Sequence, residues 1–96
     1  MSTVQVVRLT AAEGKADELR GIIEQARSFA LTVDGCEGFE VYEAEDAPGS
    51  IVMVERWASH EQHQKHFQTN VIDTGVLDRV GALLSGPMEY GYHKQL

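Results

Sequence analysis

Four short stretches of the chain have a strand-like pattern of apolar and polar positions. Residues 3–9 (TVQVVRL) are rich in β-branched side chains, and residues 38–45 (GFEVYEAE) alternate in polarity. Residues 50–57 (SIVMVERW) are apolar at their centre, and residues 88–93 (MEYGYH) place their large side chains on one parity. These patterns are typical of β-strands. The turn sequence DAPG at 46–49 predicts a hairpin between the second and third strands.

Two other stretches follow the period of a helix. Between Leu19 and Val33 the apolar residues return in steps of three and one, which is typical of one face of an amphipathic helix. We expect Gly35 to end this helix. Ser59 has the character of an N-cap for a short helix that runs through about Phe67. A further helical stretch is predicted from about residue 70 to residue 84, where Ser-Gly-Pro stops it.

The resulting order, β-α-β-β-α-β, predicts an α+β domain with the ferredoxin-like (split βαβ) sandwich arrangement over residues 1–96. The helices of such a domain cover one face of the sheet. The centre of the third strand is apolar on both parities, so we expect both faces to be covered. A chain of 96 residues buries a limited core on its own. The sequence therefore predicts a homodimer that packs sheet to sheet.

The charge balance narrows the range of partners. The chain carries 15 acidic and 8 basic residues, a net charge of −7, which argues against nucleic acid and anionic membranes as partners. No apolar run approaches the roughly 18 residues of a membrane span, and the first residues lack the pattern of a signal peptide. Cys36 is the only cysteine and cannot form an internal disulfide, so we expect a cytoplasmic protein.

The stretch ERWASHEQHQKHFQT at 55–69 concentrates the candidate chemistry, because it holds Trp57 and three histidines. A zincin-type metal site needs histidines four apart, whereas His60, His63 and His66 are three apart, so we expect no metal. His60 is expected on the surface, and His63 borders the apolar side. His66 could face a cavity together with Trp57. The alternatives are a core tryptophan at a strand end and a histidine bonded to a backbone carbonyl.

Four segments taken in order resemble the antibiotic biosynthesis monooxygenase superfamily, a group of dimeric α/β-barrel proteins. They are VVRLTAAEGKADEL, DGCEGFEVYEAED, GSIVMVERWASHEQHQKHFQT and SGPMEYGY, and together they span essentially the whole chain. The most specific piece is Glu55-Arg56-Trp57 followed by Ser59 and His66. The resemblance implies a dimeric α/β barrel built from ferredoxin-like subunits.

The resemblance also implies an activity, which is cofactor-independent oxidation of an aromatic or hydroquinone-type small molecule with dioxygen. Dioxygen in its triplet state reacts with an electron-rich anion, so the site needs a base. Histidine suits that role because its ordinary pKa lies near 6.5. On this resemblance His66 is the catalytic base or proton shuttle, and Trp57 forms the pocket. The expected substrate-binding residues are Tyr42, Met53, His63, Phe67 and Tyr90.

Two other branches of the same superfamily provide alternatives. The haem-degrading branch uses an Asn, a Trp and a His, whereas the matching positions here hold Val7, His66 and Val76, so we expect no haem degradation. A second branch isomerises a phosphorylated autoinducer-2 sugar, and LLSGP at 83–87 together with His66 resembles it. A phosphosugar needs basic residues in the pocket, and the plausible ones are Arg8, Arg56, Lys65 and Arg79. A non-catalytic ligand-binding dimer is the third alternative.

Overall fold

The computed structural model describes residues 2–96 and consists of one antiparallel sheet with helical segments packed on one face. Along the chain the elements are β1 (Thr3–Thr10), α1 (Ala16–Ala30), β2 (Cys36–Glu43), β3 (Ser50–Trp57), α2 (His60–His66), a π-helical segment (Phe67–Ile72), α3 (Val76–Gly81) and β4 (Glu89–His93). The strand order is β2-β3-β1-β4. This confirms the predicted α+β, ferredoxin-like arrangement.

Alternate side chains of each strand point to opposite faces of the sheet. In β1 the odd-numbered positions are buried, and Val7 and Leu9 oppose Met53 and Ile51 of β3. These side chains meet the apolar stripe of α1 in a core cluster. The cluster comprises Val7, Leu9, Leu19, Ile23, Ile51 and Leu83. The inner face of the sheet is therefore the side that builds the hydrophobic core.

The boundary of α1 differs from the sequence prediction. The helix ends at Ala30, and Val33 lies in the turn that follows it. Val33 is half-buried there, so the apolar period continues past the end of the helix. Gly35 adopts a φ of +94° at the start of β2, and a Cβ there would lie 2.6 Å from the side chain of Gln62. Gly35 thus serves a tight turn against α2 and does not cap α1.

The predicted N-cap of α2 is confirmed. The Ser59 hydroxyl oxygen accepts the backbone N–H of Gln62 at 3.2 Å. The single helix predicted over residues 70–84 is wrong. Residues 67–72 form a π-helical segment, in which the N–H of Asp73 donates to the carbonyl of Gln68 five residues earlier. Gly75 then adopts a φ of +82°, and α3 covers only residues 76–81.

The outer face of the sheet is also partly apolar. Val4 and Val6 of β1 and Val52 and Val54 of β3 are half-buried and point away from the helices, and Val6 opposes Val54. Charged side chains of Arg8, Arg56 and Glu89 flank them on the same face. Within residues 2–96, none of the helices has both the length and the apolar character needed to cross a bilayer.

Candidate active site

A cavity of about 300 Å³ lies between the inner face of the sheet and the helical segments. Its walls are mostly apolar. They come from the strands through Val7, Phe39 and Met53, from α1 through Ile22, Ala26 and Phe29, and from the later helical segments through Phe67, Val71, Val76, Leu77 and Val80. Pockets of this kind, apolar with a few convergent polar groups, are the usual form of small-molecule sites.

Glu55 brings a carboxyl group into the wall of this cavity. It lies on the inner parity of β3 between Met53 and Trp57, and only 6% of its surface is exposed. The indole Nε1–H of Trp57 donates to its Oε1 at 3.1 Å. Burial raises the pKa of Glu55 to about 7, against the opposing effect of the Trp57 hydrogen bond. Because its pKa is close to neutral pH, the buried carboxyl of Glu55 can both give and accept a proton.

His63 of α2 lies beside Glu55. Its Nε2 is 4.0 Å from Glu55 Oε1, and its Nδ1 is 2.6 Å from the hydroxyl of Tyr92 on β4. Burial lowers the pKa of His63 to about 4, and the neighbouring imidazoles of His66 and His60 act in the same direction. The 4.0 Å separation would allow an ion pair, but burial of both groups favours their neutral forms. Between about pH 4 and about pH 7 both groups are therefore mainly neutral.

His66, the last residue of α2, is 7% exposed and also lines the cavity. Its Nδ1 lies 3.0 Å from the side-chain Nδ2 of Asn70. An amide nitrogen can only donate, so Nδ1 accepts, and the neutral ring carries its hydrogen on Nε2. A half-turn of the Asn70 amide would present its oxygen and reverse the tautomer. Burial lowers the pKa of His66, which keeps the ring neutral at neutral pH.

The cavity brings together some of the site residues predicted from sequence. Met53, His63, His66 and Phe67 line it. Trp57 is fully buried behind the two histidines and does not line the cavity; its ring centroid lies 4.9 Å from that of His66 and 5.4 Å from that of His63.

The two predicted tyrosines lie outside the cavity. Tyr42 is 51% exposed on the outer face of the sheet, in register with Val52. Its side chain therefore lies on the opposite side of the sheet from the cavity. Tyr90 is on the inner parity of β4, but it is 73% exposed and is not part of the wall.

Residues 2–76 carry the sequence pattern of a known protein family. The sequence profile described as antibiotic biosynthesis monooxygenase matches residues 2–76, which is most of the chain. The chain belongs to the antibiotic biosynthesis monooxygenase family. The resemblance identified from the sequence is thereby confirmed. A search of the curated proteins finds no significant match.

Solved structures share the whole fold with this family member. Rv0793 from Mycobacterium tuberculosis superposes with a TM-score of 0.90 at 22% identity, covering 100% of this chain and 96% of its own. A conserved protein from Methanosarcina mazei Go1 gives 0.90 at 16% identity, with 100% and 94% covered. SnoaB from Streptomyces nogalater, a cofactor-independent oxygenase solved as a point mutant, gives 0.84 at 17% identity, with 98% and 92% covered. At these identities the likeness concerns the fold.

Four polar residues that the sequence did not single out for the site complete it. Gln5, Glu55 and Asn70 line the cavity, and Tyr92 bonds to His63 from behind the wall. Gln5 and Glu55 could have been found from their parity along the strands. Gln5 shares the inner face with Val7 and Leu9, and Glu55 shares it with Met53. A polar residue at an inward strand position is unusual and marks a functional candidate. Asn70 carried no such signal, since its orientation depends on the π-helical segment.

The third histidine of the cluster lies outside the wall of the cavity. His60 is exposed, its Nε2 is 3.0 Å from the hydroxyl of Thr3, and its ring stacks on Tyr92 at 4.3 Å. The three histidines of α2 therefore do not converge on one point. Over residues 2–96, no group of three or more His, Cys, Asp or Glu side chains is arranged to hold a metal ion.

Proposed function

We propose that this protein is a cofactor-independent monooxygenase that oxidises an aromatic, hydroquinone-type small molecule with dioxygen. The observation that carries the proposal is an apolar cavity whose wall contains Glu55, His63 and His66, all less than a tenth exposed. Family membership supports the reaction class, and the name of SnoaB records a cofactor-independent oxygenase on the same fold. The sequence-based assignment of His66 and Trp57 to the reaction is carried into this proposal.

The chemistry requires an anion, a dry pocket and a place for a proton. Removal of a phenolic proton gives an electron-rich anion that can pass one electron to dioxygen. The resulting superoxide and substrate radical recombine to a peroxide at a ring carbon. Loss of water from that peroxide leaves one oxygen atom as a carbonyl on the ring. The substrate supplies all the electrons for the reduction of dioxygen. One oxygen atom of dioxygen ends in the product and the other in water.

His66 is the proposed proton shuttle at the ring oxygen. Its neutral ring presents Nε2–H while Asn70 holds Nδ1, so it stabilises a developing oxyanion by donation. Rotation of the Asn70 amide would free Nε2 to accept a proton instead. Trp57 acts from behind the wall, because its indole packs against the ring of His66 and its Nε1–H fixes Glu55. We therefore assign Trp57 a positioning role in this cavity.

Glu55 is the second group that can take up the substrate proton. Its pKa near 7 means that a large fraction is ionised at slightly alkaline pH, and the carboxylate then accepts a proton without an external base. Tyr92, whose hydroxyl is bonded to His63, is 36% exposed as a residue. Met53 and Phe67 supply apolar contact for the ring of the substrate. A volume of about 300 Å³ is at the small end for ligand pockets, which favours one or two fused rings.

The isomerase alternative finds less support in the cavity. Of the four basic residues considered for a phosphosugar, only Arg79 lines it. Arg8 and Arg56 are on the outer face of the sheet, and Lys65 is exposed on α2. A single exposed arginine is a weak phosphate site, because phosphate recognition uses several converging donors. A ligand-binding dimer without catalysis is the remaining alternative, and the activity test below separates it.

We also propose that the functional unit is a homodimer formed through the outer face of the sheet. Val4, Val6, Val52 and Val54 form the apolar centre of that face, and charged side chains surround it. An apolar centre with a polar rim is the usual anatomy of a protein interface. Tyr42 lies on this face, so its aromatic ring contributes to dimer contact and not to the cavity.

Dioxygen uptake tests the activity. A reduced naphthohydroquinone under air should consume dioxygen faster with the protein than by autoxidation alone. The variant His66→Ala should lose about 100-fold or more of the enzymatic rate, because a positioned proton-transfer group contributes on that scale. The matched control His60→Ala removes an imidazole from the same helix outside the cavity and should keep the wild-type rate. Equal rates for wild type and His66→Ala would refute the role of His66, and anaerobic turnover of a phosphorylated ketose would favour the isomerase.

A further inference from the structure

Gln5 is a buried polar side chain whose hydrogen-bonding capacity is not used. It lies on β1 with 6% of its surface exposed, and it lines the cavity. Its Oε1 is the one buried side-chain oxygen or nitrogen in residues 2–96 that has no hydrogen-bond partner. Leaving a buried acceptor unpaired costs free energy, so such groups are normally satisfied by protein or by something bound. Oε1 itself has almost no accessible surface, so a donor bound in the cavity reaches it once the Gln5 amide turns toward the ligand.

The neighbours of Gln5 determine what kind of donor would suit it. Gln5 is in register with Glu55 on one side and with Tyr92 on the other, so all three side chains lie on the inner face of the sheet. Paired residues on adjacent strands hold their Cβ atoms about 5 Å apart. Glu55 also lines the cavity, whereas Tyr92 is occupied with His63. The floor of the cavity thus places the side-chain amide of Gln5 next to the carboxyl group of Glu55.

We propose that Gln5 recognises a ring hydroxyl of the bound ligand: its side-chain amide turns toward the ligand, Oε1 accepts the hydroxyl hydrogen, and the Glu55 carboxyl lies beside the same oxygen. The rest of the cavity wall is apolar, so an aromatic ring fits above this polar floor. The ligand class is a one- or two-ring phenol, and methylation of its hydroxyl removes the donor. This inference rests on the proposed function for the aromatic nature of the ligand, and it does not require turnover.

Binding without oxidation tests this directly. The probes are naphthol, its methyl ether and naphthalene, titrated anaerobically by calorimetry. Wild-type protein should bind naphthol about tenfold more tightly than the ether or the hydrocarbon, because only naphthol satisfies the buried acceptor. Gln5→Met removes the acceptor and keeps the length of the side chain, so it should bind the three compounds with similar affinity. Gln64→Met makes the same change at an exposed position of α2 outside the cavity and should keep the preference for naphthol.

Thermal unfolding gives a second readout that separates recognition from a structural role. Gln5→Met relieves the cost of an unpaired buried acceptor, so its melting temperature should equal or exceed that of the wild type. A variant that is at least as stable but no longer selects the hydroxyl is the expected result.

Several results would overturn the inference. They are equal affinities for naphthol and its ether in the wild type, retention of the preference in Gln5→Met, and no binding of any of the three compounds. If the preference is absent while dioxygen uptake persists, the oxygenase proposal survives and only the role of Gln5 falls.

Discussion

At the scale of single residues, Glu55 and His63 have pKa values that shift in opposite directions for the same reason. Burial disfavours the charged form of each, which raises the pKa of Glu55 to about 7 and lowers the pKa of His63 to about 4. In the unfolded chain the ordinary values of 4.5 and 6.5 place one proton on the imidazole over the intervening pH range. In the folded chain that proton is on the carboxyl. Folding moves the proton between the two groups and hardly changes the number bound.

Single substitutions should expose pH dependence that this cancellation hides. In Glu55→Gln only the lowered pKa of His63 remains, so the unfolded state binds more protons between pH 4 and 6.5 and stability falls as pH drops through that window. In His63→Asn only the raised pKa of Glu55 remains, so the folded state binds more protons and stability falls as pH rises from 4.5 through 7. Each slope approaches about 1.4 kcal/mol per pH unit relative to wild type.

Urea unfolding at a series of pH values measures these slopes. The exposed carboxylate of Glu61 on α2 provides the control, and Glu61→Gln should follow the wild-type profile. Two variants with slopes of the same sign, or with profiles parallel to the wild type, would show that burial does not control this pair.

At the scale of secondary-structure elements, the strands could be predicted from sequence and the later helical segments could not. The short apolar run within residues 50–57, which follows a turn sequence and is rich in β-branched residues, indicated β3 with its observed bounds. Successive cavity-lining residues in this part of the chain are three or one positions apart: 63, 66, 67, 70, 71 and 74. That spacing does not distinguish an α-helix from a π-helical segment, and the change of direction after residue 72 depends on Gly75.

Gly75 should be required for that change of direction. Its φ of +82° is unfavourable for a residue with a Cβ, although a Cβ there would meet no atom within 4 Å. Gly75→Ala should therefore lower the free energy of unfolding by about 1 kcal/mol through backbone conformation alone. Gly21 also has open space around it but lies inside α1, so Gly21→Ala should raise the free energy of unfolding by about 1 kcal/mol. Denaturant unfolding of the two variants should give opposite signs, and a neutral Gly75→Ala would contradict this account of the π-helical segment.

At the scale of the whole molecule, the fold was predictable and the assembled site only partly so. Element order and the two-sided apolar third strand were visible in the sequence. The polar floor joins Gln5, Glu55 and Tyr92 from three strands, and only the sheet register places them together. Tyr42 was predicted to bind substrate because it is aromatic. Its aromatic character alone does not indicate which face of the strand its side chain occupies. The cytoplasmic location stays a prediction.

The dimer proposal makes a prediction about the outer face. Wild-type protein should sediment as a dimer at micromolar concentration. Val54→Asp places a charge at the centre of the valine cluster and should give a folded monomer, because an unpaired buried carboxylate is costly. Ser28→Asp adds the same charge at an exposed position of α1 and should remain dimeric. A monomeric wild type, or a dimeric Val54→Asp, would show that another surface or no surface forms the interface.

The proposed oxygenase activity is tested most directly by following labelled oxygen from dioxygen into the product. A reduced naphthohydroquinone is incubated with the protein under isotopically labelled dioxygen, and the mass of the product is measured by mass spectrometry. Monooxygenation predicts a hydroxynaphthoquinone that carries one labelled oxygen atom, formed at a rate that falls in His66→Ala and not in His60→Ala. An unlabelled naphthoquinone formed together with hydrogen peroxide, at the rate seen without protein, would contradict the proposal.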